Sequence, residues 1–239
     1  MRDINRNEHS VPEYRPIDKS VYSVLEENCT GLGDRPALSY FGKEYSFSEL
    51  MCNIDRVASA LLGMGITKGD KVIVSLPSVP EAVELFYAIN KIGAVFCGMD
   101  CRSKHDEIEE ILVQIKPKAC FVSDFHLKEF TNVDSVPVIC ISFMKTISVI
   151  ASFASVFVGI FTGRTFLIAR RKNFMSYQQF IRNAKDTPVK KTDLGGDEIC
   201  AYFYTSGTTY GRKCVMITNE NMNSSVLQYA YSQPGIDDT

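Results

Sequence analysis

A run of small hydroxylated residues with a basic pair shortly after it is the part of this sequence with the clearest chemistry. The residues are Thr205, Ser206, Gly207, Thr208, Thr209, Arg212 and Lys213. A glycine among short hydroxylated side chains lets backbone N–H groups and hydroxyls come close to an anion. A lysine adds the positive charge that such an anion requires. The combination predicts a site for a polyphosphate.

Apolar residues flank this run on both sides. Residues 199–204 and 215–217 are rich in strand formers, so the sequence predicts a strand, a loop and a second strand. A polar hairpin loop is the simplest alternative, but hairpin loops usually carry Asn, Asp or Gly pairs. An ordinary P-loop is excluded, because only three residues separate Gly207 from Gly211 and Arg212 stands before Lys213.

The segment from Tyr204 to Thr209, together with Lys213 and residues 215–218, resembles the phosphate-binding signature of the adenylate-forming enzymes. That family contains the acyl- and aryl-CoA synthetases, the luciferases and the adenylation domains of peptide synthetases. Three positions depart from the family pattern: Tyr210 and Cys214 replace its usual glycines, and Arg212 replaces a frequent proline. Further segments recur in this family in the same order, namely residues 34–38, 45–50, 68–72, 76–81 and 91–95.

The resemblance implies an α/β fold, a parallel-sheet sandwich with flanking helices, of which this chain would be an incomplete N-terminal domain. It implies that ATP activates a carboxylic acid to an acyl-adenylate and that a thiol such as coenzyme A then takes the acyl group. The phosphates of ATP would be bound by Thr205, Ser206, Gly207, Thr208, Thr209 and Lys213. Lys213 would also act in catalysis by neutralising charge on the leaving pyrophosphate, a role shared with Mg²⁺.

The pattern upstream of the loop predicts a parallel sheet independently of the resemblance. Strands at 71–76, 94–99 and 119–123 alternate with a helix opened by Pro80 and a helix at 106–116. A further strand at 136–142 contains Pro137, which places it near an edge of the sheet or has it begin there.

Local signals predict several elements before the sheet. A short helix is expected at 21–28, and a hairpin around Gly42 and Lys43. Ser46 and Glu49 have the spacing of a capping box at the start of the next helix.

Composition and charge limit the other classes of function. The net charge of −2 provides no electrostatic footprint for nucleic acid. Residues 1–15 contain no apolar core, so they are not a signal peptide, and we expect a cytoplasmic protein. Residues 1–18 are predicted to be a polar arm, and residues 19–239 a partial AMP-binding domain with an apolar insertion near 145–172.

The eight cysteines and two of the histidines are predicted to have structural or surface roles. The cysteines lack paired metal-ligand spacing and lie mostly in apolar runs, which favours small buried side chains in a reducing compartment. His105 and His126 lie beside charged loop residues without a partner at a recognisable motif spacing. Both are therefore expected at the surface.

Residues 146–163 form an uncharged apolar segment inside the predicted insertion. Small residues recur along it at spacings of four and three, and basic residues follow it at 164 and 170–172. We favour a helix buried in the protein, with peripheral membrane contact as the alternative. A true membrane span is disfavoured because it would place two parts of one domain on opposite sides of the membrane.

The sequence lacks the motifs that follow later in members of this family. We therefore expect the first part of a longer ligase, inactive when it is tested alone, whose partners are a small carboxylic acid, ATP, coenzyme A and the remainder of the enzyme. Two alternatives stay open. One is an adenylation domain of peptide-synthetase type, which would load a carrier-protein thiol, and the other is a non-catalytic truncated remnant.

Overall fold

A computed structural model describes residues 16–142, 171–185, 187–204 and 213–232 of the chain. Its helices are α1 (Val21–Asn28), α2 (Phe47–Gly63), α3 (Pro80–Lys91), α4 (His105–Ile115), α5 (Tyr177–Arg182) and α6 (Asn219–Ser232), with a 3₁₀ helix at Leu127–Phe130. Its strands are β1 (Pro36–Tyr40), β2 (Lys43–Ser46), β3 (Lys71–Ser75), β4 (Val95–Gly98), β5 (Ala119–Ser123), β6 (Val138–Ile141), β7 (Phe174–Ser176), β8 (Ile199–Tyr204) and β9 (Cys214–Thr218).

A seven-stranded sheet organises the described residues, with β1 and β2 forming a separate hairpin. The strand order is β7-β6-β5-β3-β4-β8-β9. Every neighbouring pair is parallel except β8 and β9, which are antiparallel. The α/β class and the parallel sheet predicted from the sequence are therefore confirmed.

Helices cover both faces of this sheet, which explains why its central strands are apolar throughout. On one face, Val72 and Val74 belong to the same core as Leu85 and Ile89 of α3. On the other face, Ile73 belongs to the core that contains the inward residues of α4, Ile108, Ile111 and Ile115. Successive side chains of β3 point to opposite faces of the sheet, so one set packs in the core with α3 and the other in the core with α4.

Local signals set the first elements. α1 has the predicted bounds, and Ser46 caps α2 as expected. The Oγ of Ser46 accepts from the N–H of Glu49 at 3.2 Å, and Glu49 Oε2 accepts from the N–H of Ser46 at 2.8 Å.

The predicted hairpin turn was misplaced by one residue. Phe41 and Gly42 occupy the turn with φ of 47° and 77°, and Lys43 already pairs with Tyr40. Two positive φ angles match the strand twist of a two-residue turn.

The edge beyond β6 was not predicted. β6 begins directly after Pro137, as the proline suggested, but β7 pairs with it and takes the edge position. Asn173 holds this junction, donating from Nδ2 to the carbonyls of Val133 at 2.7 Å and Val136 at 3.0 Å. α5 follows β7 with its own capping box, formed by Ser176 and Gln179.

Asn219 joins the start of α6 to three other parts of the fold. Its fully buried Oδ1 accepts from the N–H of Val21 at 3.1 Å and from Asn90 Nδ2 at 2.9 Å. Its Nδ2 donates to the carbonyl of Gly195 at 3.0 Å. At the start of the helix, Thr218 Oγ1 accepts from the N–H of Asn221 at 3.2 Å. Asn219, directly after β9, is thus bonded to Gly195, which precedes β8, and to α1 and α3. These bonds fix both ends of the chain segment that contains β8 and β9.

Lys91 shows why the motif at 91–95 is structural. The side chain is only 5% exposed, forms an ion pair with Asp55 and donates to the hydroxyl of Tyr22 at 2.8 Å. A buried lysine needs such partners, because an unpaired buried charge is costly. Lys91 thereby ties α3 to α1 and α2 without facing a cleft.

In the part of the chain that the structure describes, no helix has the length and apolar character to cross a membrane. The predicted apolar segment at 146–163 and most of the predicted arm lie outside the described residues. Membrane contact of that segment stays a prediction from sequence.

Candidate polyphosphate site

The predicted polyphosphate segment leaves the sheet at the carboxyl end of β8. β8 lies beside β4, and β4 lies beside β3. After β3 the chain runs to α3 on one face, and after β4 it runs to α4 on the other, so the carboxyl ends of these two strands form a topological switch point. Ligands of open α/β sheets bind at such a point. The sheet therefore delivers the segment next to a natural binding crevice.

The predicted site residues are described only in part. Lys213 lies immediately before β9 and is exposed. Thr205, Ser206, Gly207, Thr208 and Thr209 lie outside the described residues. β8 and β9 pair antiparallel, and Tyr204 stands opposite Cys214. The two strands therefore form a hairpin, the connection that the sequence analysis gave as the alternative. Nine residues, 205–213, join the two strands.

Both faces of β8 are held where the strand ends. Phe203 contacts Gly98 of β4 so closely that a Cβ at Gly98 would lie 2.7 Å from the Phe203 ring. On the other face, the Tyr204 hydroxyl donates to Gln114 Oε1 of α4 at 2.9 Å. Burial, the thiol of Cys214 and nearby acidic groups raise the pKa of Tyr204 above its usual value. Tyr204 is therefore a neutral donor at physiological pH.

A groove of about 660 Å³ lies on the Phe203 side of the same edge. Its wall is mostly apolar and includes Leu76, Val79, Val83, Phe86, Phe96 and Phe203. A neighbouring polar cavity of about 210 Å³ is lined by Asn53, Glu81, Glu84 and Tyr177, among other residues. Burial raises the pKa of Glu84 to about 7, even though Asn53 Nδ2 donates to its carboxylate at 2.8 Å.

His126 is buried, so the prediction of a surface histidine is wrong for this residue. It is 3% exposed, and its Nε2 donates to the carbonyl of Ser103 at 2.6 Å. That tautomer leaves Nδ1 to accept from the hydroxyl of Ser75 at 2.8 Å. The ring joins the carboxyl ends of β3 and β5 to the loop after β4. Ser75 and Ser123 lie at the ends of two predicted parallel strands, so they were expected at the same edge of the sheet. That shared edge is the sequence signal that could have placed His126 close to Ser75.

His105 is partly exposed, which agrees better with the prediction of a surface histidine. Its side chain is 29% exposed, and Nε2 lies 3.2 Å from Oε1 of Glu109. The buried hydrogen bonds of Asn219 and the hydrogen bond between Gln114 and Tyr204 were not predicted from the sequence. Each joins residues far apart in the chain, so neither leaves a local spacing pattern.

The family model described as AMP-binding enzyme matches residues 25–239. The long-chain-fatty-acid–CoA ligase of Bacillus subtilis is 21% identical over 90% of this chain and 39% of its own length. Surfactin synthase subunit 1 of the same organism is 27% identical over 84% of this chain and 5% of its own length. Among solved structures, the anthranilate CoA ligase AuaEII in complex with anthranoyl-AMP superposes with a TM-score of 0.75 and 20% identity, covering 94% of this chain and 39% of that chain.

A mostly parallel sheet with helices on both faces is the fold of the N-terminal domain of adenylate-forming enzymes. The chain belongs to the AMP-binding enzyme family. It spans about two fifths of the ligase relatives that it matches over most of its own length.

Proposed function

We propose that this chain supplies the ATP-polyphosphate site of a ligase that activates a carboxylic acid to an acyl-adenylate. The observation that carries the proposal is the position of Lys213 directly before β9, at the carboxyl end of β8, which is the strand next to β4. In this proposal Thr205, Ser206, Gly207, Thr208 and Thr209 bind the phosphates, and Lys213 neutralises their charge. Mg²⁺, when bound with ATP, would neutralise further charge on the same oxygens.

The residues of this segment fit such a ligand by their donor chemistry. Lys213 is exposed at the root of the segment, where a phosphate can reach its ammonium group. The four hydroxyls between Thr205 and Thr209 provide short donors that do not fill the space next to Gly207. The order of these residues places the donors before the cation, along one strand-to-strand connection.

Coenzyme A is our proposed acceptor of the acyl group. The support is the match to the Bacillus subtilis CoA ligase over 90% of this chain. The alternative is a carrier-protein thiol, and the match to surfactin synthase subunit 1 over 84% of the chain favours it. The two acceptors share the adenylation step, so the role of the polyphosphate site is the same in both.

We further propose that residues 1–239 bind ATP without completing the reaction alone. The exposed apolar side chains along β8 and β9, Phe203, Val215 and Met216, are 37%, 43% and 62% exposed and are suited to contact with the remainder of a longer ligase. Adenylation gains its rate from holding the acid against the α-phosphate, and one wall of a site cannot fix that geometry.

The experiment is equilibrium binding of Mg·ATP to the chain. We expect saturable binding that inorganic tripolyphosphate displaces, because the phosphates supply the contacts. Adenosine should not displace ATP at comparable concentrations. Absence of saturable binding, or binding that adenosine displaces as well as tripolyphosphate does, would contradict the proposed function.

A further inference from the structure

The buried carboxyl group of Glu84, on α3, lies where α2, α3 and α5 meet. Glu84 is only 7% exposed and lines the polar cavity of about 210 Å³ together with Tyr45 of β2. Asn53 of α2 donates from Nδ2 to Glu84 Oε1 at 2.8 Å. Tyr177, the first residue of α5, donates from its hydroxyl to Glu84 Oε2 at 3.4 Å, and burial keeps this phenol protonated by raising its pKa. One carboxyl group therefore joins three helices.

The charged groups around Glu84 do not compensate for its burial. Glu81, one turn earlier on α3, opposes a second negative charge, and Lys43 of β2 favours it more weakly. Arg56 of α2 lines the cavity but is exposed, and in the described ranges no cation forms an ion pair with Glu84. Burial therefore dominates and raises the pKa of Glu84 to about 7.

Of the three helices around Glu84, α5 has the smallest buried surface to hold it in place. α2 and α3 each contain seven buried residues, whereas α5 has six residues in total and buries Phe180. The Phe180 ring packs edge-to-face on Phe121 of β5, with centroids 5.0 Å apart. Just after α5, the N–H of Lys185 donates to Ser59 Oγ of α2 at 2.7 Å. An element with few buried contacts opens locally at a lower free energy than the core does.

We propose that α5 is a pH-sensitive cover of this cavity, which closes on α2 and α3 while Glu84 is protonated and detaches more often once Glu84 is ionised. Detachment gives the carboxylate the water that it lacks in the closed arrangement. Because the closed form holds the proton more tightly than the open form, closure is most favourable below about pH 4.5 and weakens as pH rises to about 7. This device does not depend on the proposed nucleotide site.

Hydrogen exchange of the amides in residues 177–185 of the full chain, at pH 5 and pH 8 and corrected for intrinsic rates, tests the proposal. With a pKa of about 7 in the closed form and 4.5 in the open form, the opening constant should rise about 50- to 100-fold between these pH values. Glu84→Gln cannot ionise, so its opening constant should be the same at both. The matched control is Glu44→Gln, which neutralises an exposed carboxylate and should keep the wild-type pH dependence.

Low concentrations of urea separate local opening of α5 from unfolding of the whole fold. Local opening exposes little surface, so exchange in α5 should change little with urea, whereas exchange in the central strand β3 should accelerate. The proposal is overturned by an opening constant that is equal at pH 5 and pH 8, or by a pH dependence that persists in Glu84→Gln. Exchange in α5 with the same urea dependence as in β3 would also overturn it, because α5 would then open only when the whole fold unfolds.

Discussion

Replacing Lys213 with alanine is expected to weaken Mg·ATP binding by about 10- to 100-fold. The size follows from losing a charged hydrogen-bond donor to phosphate, which contributes about 1.5–3 kcal/mol. Lys213 is exposed directly before β9, so the substitution leaves the sheet intact and acts through charge at the site. Isothermal titration at fixed ionic strength measures the change.

Two further variants make this result specific. Lys190→Ala removes an exposed lysine and should leave binding unchanged. Lys190 lies near Thr192, whose N–H donates to the carbonyl of Lys91 at the far end of α3. Tyr210→Gly restores the glycine that the family usually has and should leave binding unchanged or improve it. If Lys190→Ala and Lys213→Ala weaken binding equally, general surface charge explains the affinity. If Tyr210→Gly abolishes binding, Tyr210 has a role of its own and our alignment of the segment is wrong.

Glu84→Gln is expected to stabilise the protein at pH 8 by about 3 kcal/mol. Burial raises the pKa of Glu84 from 4.5 to about 7, so the folded state holds this proton more tightly than the unfolded state does. Wild-type stability therefore falls as pH rises from about 4.5 to 7, because the folded protein must ionise a buried carboxyl group. Each pKa unit corresponds to about 1.4 kcal/mol, which gives the size of the effect.

Urea unfolding at pH 5 and pH 8 tests this account. Near pH 5 the wild-type side chain is protonated in the folded state, so glutamine should give only a small change there. Glu44→Gln is the matched control, because Glu44 is exposed and its neutralisation should change stability little at either pH. A Glu84→Gln variant less stable than wild type at pH 8 would show that the ionised carboxylate stabilises the fold.

Elements with strong local signals could be predicted from the sequence. The bounds of α1 and β5 agree with the prediction, and Ser46 caps α2 as its spacing with Glu49 indicated. β7 has only three residues and no periodicity, and its position depends on pairing with β6. α5 was missed even though Ser176 and Gln179 carry a capping-box spacing, because its six residues are too few to display a helical period.

For the candidate site, the sequence supports a proposal and the structure tests only what surrounds it. The phosphate-binding chemistry is proposed from the types of consecutive residues, and β8, the strand that precedes them, was predicted from the strand pattern. The hydrogen bond at the end of β8 was not predicted, because Gln114 and Tyr204 meet only through the packing of α4 on the sheet. His126 shows the same limit, since its ring bonds to Ser75 at the end of β3 and to Ser103 in the loop after β4.

Labelling with an ATP analogue that carries a reactive acyl group on its γ-phosphate tests the central claim most directly. The reagent transfers its acyl group to lysines beside the bound phosphates, and peptide mapping identifies them. We expect Lys213 to be the most strongly labelled lysine of the chain and excess Mg·ATP to prevent its labelling. If Lys213 stays unlabelled while other lysines react, or if ATP gives no protection, the polyphosphate does not bind at this segment and the account is wrong.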